Sequence, residues 1–163
     1  SLFFSTLTPI GADKDGRWRF LSVGGVRHDN KGWKKPKAGD VYIVTLVDDD
    51  NKKKKLLTER VAGLGAGIFM HKASLTDDKH VLISGGFTDY KGATTFSMKI
   101  FDIEKKAFIE PAAAATFIKR GAHAAVRLNN DCVLMWGGVE SWKDLENTTQ
   151  VVSDIYCPAH LAQ

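Results

Sequence analysis

The chain has 163 residues, with 23 Lys and Arg against 19 Asp and Glu for a net charge of +4, 44% hydrophobic residues and 26% charged residues. That is the usage of one ordinary globular domain, long enough to hide roughly 70% of its unfolded surface. It excludes low-complexity and collagenous chains, and no apolar run approaches the ~20 residues that a membrane-spanning helix needs.

In chain order, the first apolar segments are short and bounded by Gly, Asp and Asn, which marks strands rather than helices. Leu2–Leu7 reads as a strand, Thr8–Gly16 as a long turn, and Trp18–Val23 as a strand ending on Gly24-Gly25. A polar stretch, Val26–Gly39, leads to the run Asp40-Val-Tyr-Ile-Val, and a fourth run lies at Lys55–Thr58. Lys52–Lys55 stand beside Asp48, Asp49 and Asp50. Charges this close cancel at a distance, so the cluster reads as a solvated turn. Gly63-Leu-Gly-Ala-Gly67 lacks the Gly-Lys-Ser/Thr ending of a phosphate loop and precedes a strand, so it reads as a flexible connection.

The next stretch repeats the first. His71-Lys-Ala-Ser-Leu-Thr-Asp-Asp-Lys-His-Val-Leu-Ile-Ser-Gly85-Gly86 aligns without a gap to His123-Ala-Ala-Val-Arg-Leu-Asn-Asn-Asp-Cys-Val-Leu-Met-Trp-Gly137-Gly138. The His, one Ala, the Val, the Leu and both Gly are identical. After each Gly pair comes a polar stretch and another apolar run, beginning at Asp40, Ser97 and Asp154, at a constant spacing of 57. A fourth run follows in the second unit at Ala107–Ile109. A Gly pair at a strand end permits positive φ and close backbone approach. Val81–Ile83 and Val133–Trp136 are apolar at consecutive positions, which suits sheets covered on both faces.

With Gly24-Gly25, Gly85-Gly86 and Gly137-Gly138 in phase, the strand ending Ile100-Phe101-Asp102, and Phe108 where the family usually has Trp, the units resemble kelch repeats. The resemblance implies an all-β fold: a kelch-type β-propeller segment of about three four-stranded antiparallel blades. The blades would span about 1–63, 64–120 and, incomplete, 121–163. Propellers run from about four to eight blades. Three would leave apolar flanks open, so the remaining blades are expected in the same parent chain, the alternative being two copies that complete a ring; the start at Ser1 agrees with a piece of a longer protein.

The resemblance also points to the loops between second and third strands, and between units, as a partner-binding rim. Those loops hold Arg27, His28, Trp33, Lys34 and Lys35, then Tyr90 and Lys91, then Trp142 and Lys143. Aromatic and basic residues are favoured interface anchors. The expectation is therefore an interaction scaffold for a protein or peptide partner of acidic character, with membrane excluded and nucleic acid disfavoured. The alternative is an accessory propeller of an enzyme, such as a methyltransferase acting on tRNA, with catalysis outside this segment. No nucleophile motif, cofactor site or metal site is expected: His71 and His123 read as a repeat signature with a local hydrogen bond, and His28, His80 and His160 as positions without a partner. Cys132 and Cys157 fit no metal spacing and read as reduced thiols, which with the lack of a secretory leader suggests a cytoplasmic location, the nucleus second.

Overall fold

The computed structural model describes residues 2–29, 31–34, 39–89, 98–109, 119–141 and 152–158. These residues form strands in four antiparallel sheets and no helix. A small sheet joins β1 (Leu2–Phe3), β4 (Val26–Asp29) and β5 (Gly32–Lys34). The first large sheet orders β2 (Thr6–Ala12), β3 (Trp18–Val23), β6 (Asp40–Asp48) and β7 (Lys54–Gly63). The second orders β8 (Lys72–Leu75), β9 (His80–Ser84), β10 (Met98–Asp102) and β11 (Ala107–Ile109). The third holds β12 (Ala124–Arg127), β13 (Val133–Trp136) and β14 (Ser153–Tyr156). The all-β expectation holds, and the strands of each unit follow one another in space as in sequence.

The first unit departs from its sequence reading. Its first strand is Thr6–Ala12 rather than Leu2–Leu7, and the turn shrinks to Asp13–Arg17. Pro9 and Gly11 suggest a turn, but β2 is a sheet edge, where a missing N–H need not break a ladder. A register shift between Pro9 and Ala12 accommodates Gly11 at φ 82°. The Asp13 carboxylate holds the turn, accepting from the backbone N–H groups of Asp15 and Arg17 and from Arg17 Nε at 2.8 Å. The Arg17 side-chain bond leads the causes that bring the Asp13 pKa down to about 2. Leu2–Phe3 pairs instead with Val26–Arg27. The fourth strand, read as Lys55–Thr58, runs from Lys54 on to Gly63, so the connection to the next unit starts at Leu64. The lysine run forms the solvated turn its charges suggest: Asp49 accepts from the N–H groups of Asn51 and Lys53, and Lys54 meets Asp48 at 2.7 Å.

Strand alternation divides the core between the units. Leu21, Val23, Val41 and Ile43 of the first unit pack with Ile68, Val81, Ile83 and Phe101 of the second. From the other face of the second unit, Leu82, Met98 and Ile100 pack with Val133, Met135 and Tyr156 of the third. Val81, Leu82 and Ile83 are thus all fully buried, as the unbroken apolar run predicts. Each such side chain contributes about 1.5–3 kcal/mol. The same expectation fails for the third unit. Val133 and Met135 are buried, but Trp136 is 55% and Ile155 62% exposed, because no described residues cover that flank.

Two further expectations are corrected. Cys132 and Cys157 are joined by a disulfide, not reduced. Val133 lies opposite Tyr156, so the residue before one strand and the residue after the other face each other across the ladder. His80, expected without a partner, sets Nδ1 2.8 Å from Asp77 and Nε2 3.9 Å from Asp102. No helix among the described residues is long and apolar enough to cross a membrane.

Candidate functional site

The polar stretch after the first Gly pair contains structure that the sequence reading did not anticipate. Val26–Asp29 and Gly32–Lys34 form a hairpin that sets Arg27 opposite Lys34 and His28 opposite Trp33. Four of the proposed anchors therefore share one two-stranded ribbon. The signal was the Asp29-Asn-Lys-Gly32 run, in which Gly32 supplies φ 99°. Lys35, Tyr90, Lys91, Trp142 and Lys143 lie outside the described residues.

The Gly pairs and the two repeat histidines build a joint between successive units. Gly25 N–H donates to the Ile68 carbonyl at 2.7 Å, and Gly86 N–H to the Arg120 carbonyl at 2.7 Å. The following unit then lays a histidine ring on the first Gly of each pair. A Cβ on Gly24 would lie 2.5 Å from the Ile68 oxygen and 2.9 Å from His71 Cε1. A Cβ on Gly85 would overlap the Arg120 carbonyl and lie 2.8 Å from His123 Cε1. In the later two pairs the second Gly meets the histidine of its own unit: a Cβ on Gly86 would lie 2.8 Å from His71 Cβ, and one on Gly138 the same distance from His123 Cβ. Each ring is thus held between the glycines of two units, and any side chain there would push the sheets apart.

A second strand of contacts runs along the same joints. Met70 N–H donates to the Phe4 carbonyl at 3.4 Å and Ala122 N–H to the Met70 carbonyl at 2.9 Å. Phe4, Met70 and Ala122 share φ values of 56°, 54° and 57°, so they are equivalent positions despite different side chains. Phe69 and Phe87 exchange backbone bonds within the second unit as Gly121 and Val139 do in the third.

The histidines are neutral. Burial, joined for His71 by the positive field of His123 and Lys72, lowers its pKa to about 3. Burial, with Arg120 and Lys72 nearby, lowers that of His123 to about 4. His71 Nε2 meets Thr6 Oγ1 at 3.0 Å, and His123 Nε2 meets Ser84 Oγ at 2.9 Å. The hydrogen bond expected of a repeat signature is present, but it is not local: each ring bonds a hydroxyl of the preceding unit, 65 residues away for His71 and 39 for His123. Among the described residues, no three His, Cys, Asp or Glu side chains gather as metal ligands would.

Arg120 was not singled out by sequence, although extending the repeat three residues upstream of His123 puts it where the second unit has Ile68. Its guanidinium is buried, donates to the carbonyls of Gly137 at 3.1 Å and Val152 at 2.7 Å, and pairs with Asp154. The arrangement locks the start of the third unit to its own second and third strands. Among the described residues, backbone hydrogen bonds and close glycine contacts hold successive units together at these joints. Compared with protein-family models and with curated proteins, the chain matches none.

Proposed function

We propose that the chain is a kelch-type propeller segment acting as a protein-interaction module, which binds an acidic protein or peptide through the loops between second and third strands and between units. The single observation that carries this reading is the β4–β5 ribbon, which lies in one of those loops and brings Arg27, His28, Trp33 and Lys34 into register. Loops held by a rigid sheet scaffold are where recognition residues concentrate. The three in-phase units, joined by the same glycine–histidine contact, support the propeller reading, and further blades of the same parent would complete the ring.

The test is capture of partners from a lysate by the intact chain and by a variant carrying Trp33→Ala, Tyr90→Ala and Trp142→Ala. Loss of specific partners from the folded variant is expected; an unchanged partner set refutes the reading. The cytoplasmic expectation loses the cysteine argument that supported it. The Cys132–Cys157 bond favours an oxidising compartment, where disulfides persist. Fractionation of cells expressing the parent protein decides between the two.

A further inference from the structure

Each of the three units carries a Gly pair, but only the first two pairs are met by a following unit among the described residues. Gly137 corresponds to Gly24 and Gly85 and has the same backbone, φ 68° against 59° and 60°. A Cβ on Gly24 or Gly85 would strike the next unit, whereas one on Gly137 would meet nothing within 4 Å among the described residues. Gly25 and Gly86 give their N–H groups to the next unit's carbonyl; Gly138 N–H has no such acceptor among the described residues.

The sheet around this empty joint repeats the pattern. Leu82 faces Ile100 across the second unit, and Leu134 faces Ile155 across the third. Leu82 is 0% and Ile100 7% exposed beneath the third unit, but Ile155 is 62% exposed and Trp136, at the position of buried Ser84, 55%. Val126 beside them is also exposed. Together with Leu7, Trp18 and Leu56 on the far flank of the first unit, these residues make up most of the large exposed apolar side chains.

We propose that the outer flank of the third unit is a docking surface for a further unit of this same repeat, which sets a backbone carbonyl on Gly138 N–H and a histidine ring over Gly137. The proposal rests on the propeller reading above and not on rim binding. It also selects against a second copy of this chain as the occupant. The first unit aligns through Phe4 with Met70 and Ala122, which places Ser5 where the later units have His71 and His123. A second copy would therefore offer the carbonyl without the ring.

The test extends the intact chain after Gln163 with a duplicate of residues 64–120, in two forms: one with His and one with Ser at the duplicate of position 71. Amide hydrogen exchange at Gly25, Gly86 and Gly138 is the readout, with sedimentation to fix the oligomeric state. In the unextended monomer, Gly138 should exchange at least 100-fold faster than Gly86. The histidine form should slow Gly138 by at least 10-fold, and the serine form by clearly less. Four outcomes overturn the proposal. Gly138 is already as protected as Gly86 in the unextended monomer; its protection rises with concentration as the chain dimerises, which assigns the flank to a second copy; a folded extension leaves it unchanged; or the extension stays unfolded beside three folded units. Trp33→Ala should leave Gly138 exchange untouched, so failure of rim binding and failure of docking are read separately.

Discussion

Replacing Gly85 and Gly137 one at a time by Ala separates backbone strain from crowding at a joint. Both positions carry positive φ, 60° and 68°. An L-residue held in that region costs about 1–2 kcal/mol. At Gly137 that is the whole effect, because no described residue lies within 4 Å of the added methyl group. At Gly85 the new methyl group must displace the Arg120 carbonyl and the His123 ring. Overpacking of this kind costs about 1–3 kcal/mol, and disturbing the neighbouring Gly86–Arg120 hydrogen bond about 0.5–1.5 kcal/mol more. Gly85→Ala should therefore lose about 3–6 kcal/mol and Gly137→Ala about 1–2 kcal/mol. At roughly 2–4 °C per kcal/mol for a chain of this size, the Tm falls by about 6–24 °C in the first and about 2–8 °C in the second. Urea unfolding of both variants, followed by circular dichroism, measures the difference. Losses equal within about 0.5 kcal/mol would show that the joint between the second and third units does not exist in solution.

The buried histidines set an acid limit. Their folded pKa values, about 3 and about 4, lie below the ordinary 6.5, so the unfolded chain binds more protons between those values and stability falls as pH drops below about 6.5. Each ring contributes a slope of about 1.4 kcal/mol per pH unit, and urea midpoints from pH 6 to 5 should show it halved by His123→Gln. Reduction of the Cys132–Cys157 bond, with a sequence separation of 25, should cost about 3 kcal/mol; a midpoint unmoved by reductant would mean that the bond is not formed. Asp154→Ala, which strands the buried Arg120 guanidinium, should cost about 3 kcal/mol, and adding Arg120→Ile should recover most of it, because Ile is what the second unit carries there. Double-mutant melts check that recovery.

The parts of the fold legible in sequence were those set by short-range pattern. The Gly pairs, the presence of a third strand after each of them and the Ala107–Ile109 strand all follow from turn chemistry and apolar runs. Pro9 and Gly11 misled because their effect depends on whether a strand is central or at an edge, which local sequence does not encode. The disulfide was within reach: once Val133–Trp136 and the run at Asp154 are read as adjacent antiparallel strands, register alone puts Cys132 across from Cys157. Arg120 was hidden because a charged residue before a strand ordinarily reads as solvent-facing, and only the carbonyls of Gly137 and Val152 and the Asp154 carboxylate make its burial tolerable. Of the rim, the basic and aromatic composition was visible, but the ribbon that organises its first part was not.

The glycine–histidine joints all point one way along the polypeptide: the ring that settles on Gly24 comes from His71, and the one on Gly85 from His123. On a ribosome, therefore, each sheet emerges before the residues that seal it. At ~5–20 residues per second, Leu21 and Val23 wait several seconds for Val81 and Ile83 to arrive. During that interval the nascent chain shows sticky strands to its surroundings. Translation speed and holding chaperones thus bear on the yield of this protein as much as its final stability does.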